Sequence, residues 1–188
     1  MSSWNSSEPV GGQGWIGPAI IAAFIGAAVS VGGWFVNSQR ERARESRLRR
    51  ERMRDVQSAL AAEILPYMDA LELFDLTDHL SRTVDRMRAD EGFVPLVPTE
   101  RNDTVFRAIL PDIHILPEPV IRPVVRYYSQ LFAIEAIIGD LRSEAFRALS
   151  AERREAIYAD YISMKIQALK LGRAAVESIE ASLGPADG

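Results

Sequence analysis

From residue 9 to residue 39 the chain carries no charged side chain, an interruption of 31 positions. Within it, residues 15–36 form a run of 22 uncharged, mainly apolar residues. As a helix rising about 1.5 Å per residue, such a run reaches about 33 Å, enough to cross a hydrocarbon core of about 30 Å. Trp15 and Trp34 stand at its two ends, where indole rings favour the headgroup layer. Pro18 falls in the first turn, where its missing N–H is not needed. A secretory signal peptide fits poorly, because residues 1–15 contain neither Lys nor Arg. The sequence therefore predicts a transmembrane helix over 15–36, preceded by a short extracytoplasmic tail, 1–14.

The flanks give the orientation. Arg40, Arg42, Arg44, Arg47, Arg49 and Arg50 follow the run, and no basic residue precedes it. Positive flanks stay in the cytoplasm. The expected arrangement is a single pass through the bacterial inner membrane, N-terminus outside and C-terminal domain in the cytoplasm. Ala22, Gly26 and Ser30 recur every four residues, as do Ala19, Ala23 and Ala27. Small side chains at this spacing let helices approach closely, so the span could pair with a second copy or another membrane protein.

Residues 40–54 hold eight Arg and three Glu, a net charge of +5, against −8 for residues 55–188. With no Gly or Pro between them, they read as a helical stalk over 37–55. Arg47 with Glu51, and Glu45 with Arg49, are spaced to support an exposed helix. Anionic lipid could draw in the first arginines at roughly 1 kcal/mol each. On a helix perpendicular to the membrane, Arg50 lies about 15 Å beyond Arg40, past a Debye length of about 8 Å. A nucleic-acid partner is not expected, because the remainder is acidic and no recognition motif accompanies the arginines.

Beyond the stalk the pattern is helical throughout, and no stretch alternates with a period of two. Val56, Leu60 and Ile64 share a face, and Pro66 predicts a kink or a boundary. Leu71, Phe74, Leu80, Val84 and Met87 carry a helix to about Ala89, and Gly92, Pro95 and Pro98 place a loop over 90–102. Asn102 or Asp103 could cap a short helix ending before Pro111. The chain around Pro111, Pro117, Pro119 and Pro123 is expected to be irregular. A helix follows from about Pro119 to Leu141, and a short helical turn within 142–149. Ser150 then caps a last helix, whose Ile157, Tyr161, Met164, Ala168, Leu171, Ala175 and Ile179 step by three and four to a stop near Gly184 and Pro185. The expected fold is all-α, with a small antiparallel bundle over 56–184 and a tail, 185–188.

Chemistry-bearing residues are few. With no cysteine there is no disulfide, thiolate site or Cys nucleophile. His79 has Asp75 and Glu72 on the same helical face, but di-iron bundles need paired Glu-x-x-His motifs, and neither His79 nor His114 is preceded by Glu at that spacing. No hydrolase elbow, phosphate loop, zinc-protease or calcium-loop pattern occurs. Neither catalytic residues nor a metal, cofactor or small-molecule substrate are expected. Tyr127 and Tyr128 after Arg126, and the apolar loop 93–98, stand out as partner surfaces or, more simply, as core and lid. The functional expectation is a non-catalytic, membrane-anchored interaction or scaffold protein. The alternative is a phage-type lysis or membrane-active accessory, a holin or a spanin-like tether. A spanin would need its soluble part outside the cytoplasm, contrary to the arginines.

Overall fold

The computed structural model of the protein describes the backbone of residues 16–184 and the side chains of residues 41–184. The chain divides into two compact units, residues 1–50 and 51–188. All regular structure among the described residues is helical: α1 (Ile16–Leu73), α2 (Leu76–Ala89), α3 (Thr104–Ile109), a 3-10 turn (Leu110–Ile115), α4 (Glu118–Leu141), α5 (Glu144–Arg147) and α6 (Ala151–Leu183). Trp15 and the side chains at positions 22, 26, 30, 34 and 40 lie outside the described residues, so the span expected over 15–36 is described from residue 16 only as helical backbone of α1. Among the residues whose side chains are described, no helix is long and apolar enough to cross a membrane.

The second unit is organised by three faces that each repeat at helical spacing. On α1, Leu60, Ile64, Met68 and Leu71 are buried. On α4 the buried face runs through Val120, Val124, Tyr127, Tyr128, Leu131, Ile134, Ile138 and Leu141. On α6 the buried seam is Arg154, Tyr158, Tyr161, Lys165, Ala168, Gly172, Ala175 and Ile179, which steps four, three, four, three throughout. This seam differs from the apolar one read from sequence. Ile157, Met164 and Leu171 flank it, only half-buried, because two cations and a glycine occupy positions that an apolar count passes over. The Gln130 side-chain amide donates to the Met164 carbonyl (3.1 Å), and Tyr127 touches Gly172, so α4 and α6 run antiparallel. Arg54, close to where α1 enters the second unit, donates to the Leu183 carbonyl, and Arg173 holds Glu72 near the C-terminal end of α1, so the part of α1 within the second unit also runs antiparallel to α6. Helix α2 packs on the N-terminal part of α6 through His79 with Tyr158 and Arg88 with Glu155.

Several boundaries depart from the sequence reading. Pro66 does not end α1, which continues through it to Leu73. The carbonyl that loses its N–H partner belongs to Ala62, on an exposed face where water can satisfy it. The helix then breaks at Phe74, and Asp75 starts α2 by accepting the Asp78 N–H (2.9 Å). The proline-rich segment is less irregular than expected, since Pro111 opens the 3-10 turn and Pro119 and Pro123 sit inside α4. Other boundaries agree: α2 ends at Ala89, α4 ends at Leu141, and the Ser150 hydroxyl accepts the Arg153 N–H at the start of α6.

Helix α3 is held from outside. Asp103 precedes it but makes no side-chain cap and pairs with Arg107 instead. The Glu63 carboxylate accepts the N–H groups of Val105 (2.6 Å) and Phe106 (3.1 Å), and also the Tyr128 hydroxyl (2.7 Å). A carboxylate at a helix N-terminus satisfies orphan donors and suits the helix dipole. Tyr127 and Tyr128 are both fully buried, which settles them as core rather than as a partner surface. Their hydroxyls have opposite fates, because the Tyr127 hydroxyl is buried without a partner among the described residues. Tyr127→Phe is therefore expected to stabilise the bundle by about 1 kcal/mol, and Tyr128→Phe to destabilise it by about 1.5 kcal/mol. Thermal melts of the two variants should move in opposite directions.

Candidate functional site

The most built-up site in the bundle is a cavity of about 330 Å³ between the end of α1, the start of α2, the 96–100 loop and α6. Its apolar wall is formed by Leu71, Phe74, Leu76, Val97 and Ile162. Its polar wall is formed by Tyr67, His79, Glu100, Tyr158, Tyr161 and Lys165. The break between α1 and α2 creates the mouth. Phe74, half exposed, and Leu96, 94% exposed, both line the cavity. The apolar loop 93–98 therefore does more than cover the core. Pro95 and Val97 are buried while Leu96 projects into solvent beside the opening.

At the floor, Lys165 donates to Glu100 (2.5 Å), with side-chain exposures of 11% and 20%. The other Glu100 oxygen accepts the Tyr67 hydroxyl (2.7 Å). The ammonium also lies 5.2 Å from the Tyr161 ring centre and 5.9 Å from that of Tyr67, within range of cation–π attraction. Burial, and then the Glu100 charge, pushes the Tyr67 hydroxyl well above the ordinary phenol range, so it remains a donor. Burial first and the Glu100 charge second likewise push Tyr161 up. The Tyr161 hydroxyl makes no hydrogen bond within the described residues. Lys165 sits on the α6 seam, and without Glu100 its burial would be prohibitive.

On the opposite side, His79 Nε2 lies 2.9 Å from the Tyr158 hydroxyl, and the imidazole packs against Phe74 with ring centres 4.7 Å apart. Burial, followed by the charges of Arg82 and Lys165, lowers the His79 pKa below its ordinary value of 6.5. Below pH 6.5 the unfolded chain then binds more protons at this position than the folded chain. The stabilisation is complete above 6.5 and is lost as pH falls towards the lowered folded value. In thermal melts between about pH 7 and pH 5.5, the wild type is expected to lose more stability than His79→Gln, which keeps a partner for Tyr158 without titrating. Equal losses in the two proteins would remove His79 from the account.

The acidic residues grouped with His79 in the sequence are engaged elsewhere: Glu72 holds Arg173 (2.7 Å) and Asp75 caps α2. His114 is exposed in the 3-10 turn. Among the described residues no cluster of three or more His, Asp or Glu is placed to hold a metal ion. Arg42, Arg44 and Arg47 are exposed on α1, and neither Arg47 with Glu51 nor Glu45 with Arg49 closes to an ion pair. Exposed pairs of this kind gain little in water and lose side-chain entropy on forming. Arg52 and Arg54 behave differently, since the bundle holds them through Asp112 and the Leu183 carbonyl.

Sequence reasoning missed the cavity because its components are scattered over four segments. Lys165 and Lys170 are the only lysines in the chain, and a lysine at a seam position was the one local signal available. Comparison with protein-family models, with curated proteins and with solved structures returned no match.

Proposed function

We propose that the protein is a single-pass membrane protein of the bacterial inner membrane, with its N-terminus outside and its helical bundle in the cytoplasm, and that it acts by binding rather than by catalysis. The observation that carries this reading is the charge pattern, a stretch of 31 uncharged positions followed at once by eight arginines within residues 40–54. No stretch this long and this poor in charge is needed to build a core of the kind seen in the bundle, where every long helix has a charged face. The span over 15–36 would be held at the interfaces by Trp15 and Trp34, and Arg40, Arg42, Arg44 and Arg47 would fix the orientation. Ala22, Gly26 and Ser30 would form the face on which a second copy or another membrane protein packs.

Fractionation of expressing cells tests the anchor. The full chain is expected to sediment with membranes and to stay there through an alkaline carbonate wash, while a chain lacking residues 15–36 is released. Recovery of the full chain in the wash would overturn the reading.

A further inference from the structure

The cavity beside Lys165 has a definite hydrogen-bonding character. Of the three ammonium protons, Glu100 takes one, and no acceptor among the described residues takes the other two. The Tyr161 hydroxyl is also unengaged, whereas each Glu100 oxygen already receives a donor. The protons left unplaced at the Lys165 end of the wall are therefore two on the ammonium and one on the Tyr161 hydroxyl. Its charge is already balanced, because Lys165 is cancelled by Glu100. The charged residues next in sequence to its lining are also paired, Glu72 with Arg173 and Asp78 with Arg82. A third charge brought to this floor would lose its hydration without gaining a counter-ion. At about 30 Å³ for each water-sized group, the volume holds about ten non-hydrogen atoms. The rings of Tyr67, Phe74, Tyr158 and Tyr161 around it suit a planar apolar body, which they can meet edge-to-face.

We propose that this cavity is a binding site for a small neutral molecule of about ten non-hydrogen atoms, with a ring-sized apolar body and one carbonyl head that accepts the free protons of Lys165 and Tyr161. Polar groups few in number and converging on one point of an apolar pocket are the usual means of fixing a ligand's orientation. The site does not depend on the membrane reading. It departs from the sequence-based expectation of no small-molecule ligand.

The test uses the full-length chain, in lipid nanodiscs or, if it proves water-soluble, in buffer at neutral pH. The probes are hydrocinnamamide and hydrocinnamate, which share size and shape and differ in charge. Ligand-observed NMR titration is expected to give the amide a Kd of about 0.1–4 mM, the range open to a ligand of this size. The carboxylate should bind about tenfold more weakly, reflecting one uncompensated charge. Tyr161→Phe, which removes a single hydroxyl, should weaken the amide about fivefold and leave the melting curve nearly unchanged. Ile162→Trp, which fills the cavity, should abolish binding. Absence of amide binding, equal or tighter binding of the carboxylate, or full affinity in Tyr161→Phe would each overturn the proposal. Because Tyr161→Phe is a mild change, the result stands even if Ile162→Trp fails to fold.

Discussion

Glu100→Ala is expected to lower the melting temperature of the bundle by about 10 °C, equivalent to about 3 kcal/mol. The loss follows from what the substitution leaves behind. Lys165, at 11% side-chain exposure, would be left without a counter-ion at a seam position, and the Tyr67 hydroxyl would lose its acceptor. Removing one partner of a buried pair costs more than the pair contributes, because desolvation of the survivor is no longer compensated. Lys165→Met should cost less, about 2 kcal/mol, since Tyr67 still donates to Glu100 and the carboxylate lies nearer to solvent. The double variant Glu100→Leu with Lys165→Met should recover most of the loss, as apolar replacement of a whole buried pair is often close to neutral. A double-mutant cycle, closed with the single Glu100→Leu variant and measured by thermal or urea unfolding, checks these values. Additive losses would show that the two side chains do not depend on one another.

Gly172→Leu should be comparably damaging, at about 3 kcal/mol, through crowding rather than charge. Gly172 sits where α6 lies close to Met68 of α1 and Tyr127 of α4. A β-carbon there would lie 2.8 Å from Met68 Sδ, 3.0 Å from Met68 Cγ and 3.1 Å from Tyr127 Cε2. The Tyr127 ring is fully buried and cannot retreat. Met68 is flexible at its end, but its Cγ is close to the backbone. Gly172→Ala is a gentler case, because alanine gains up to about 1 kcal/mol of helix propensity against the same contacts. Combining Gly172→Leu with Met68→Ala opens space at the point of collision and should restore much of the stability. A melt of that pair no better than the single variant would place the strain elsewhere.

How far the fold could be read from the sequence follows from what each segment signals locally. Helix α4 and the cap of α6 were legible, because Val124, Tyr128 and Leu131 repeat at helical spacing and Ser150 sits just before the run. The 90–102 loop was legible from Gly92, Pro95 and Pro98. The break at Phe74 was not, because Leu71, Phe74 and Leu80 appear continuous and the cap from Asp75 to Asp78 depends on two common residues. The α6 seam was off by one stripe, since Arg154, Lys165 and Gly172 are buried only by virtue of their partners Glu91, Glu100, Met68 and Tyr127. Glu63 illustrates the same limit. Nothing in its own surroundings marks it as the group that caps α3, some 40 residues along the chain. The cavity inherits this limit, because its polar pairs, Tyr67 with Glu100, Glu100 with Lys165 and His79 with Tyr158, join residues distant in sequence.

The charge pattern that supports the membrane reading is local, so a local measurement can test it. The chain contains no cysteine, and a single one introduced at Ser3 or at the exposed Ser182 becomes a unique label site. Cells expressing either variant, with the outer membrane permeabilised, are treated with a membrane-impermeant maleimide before and after lysis. The account predicts that Ser3→Cys is labelled in intact cells and Ser182→Cys only after lysis. Labelling of Ser182→Cys in intact cells, or of neither position until lysis, would contradict it.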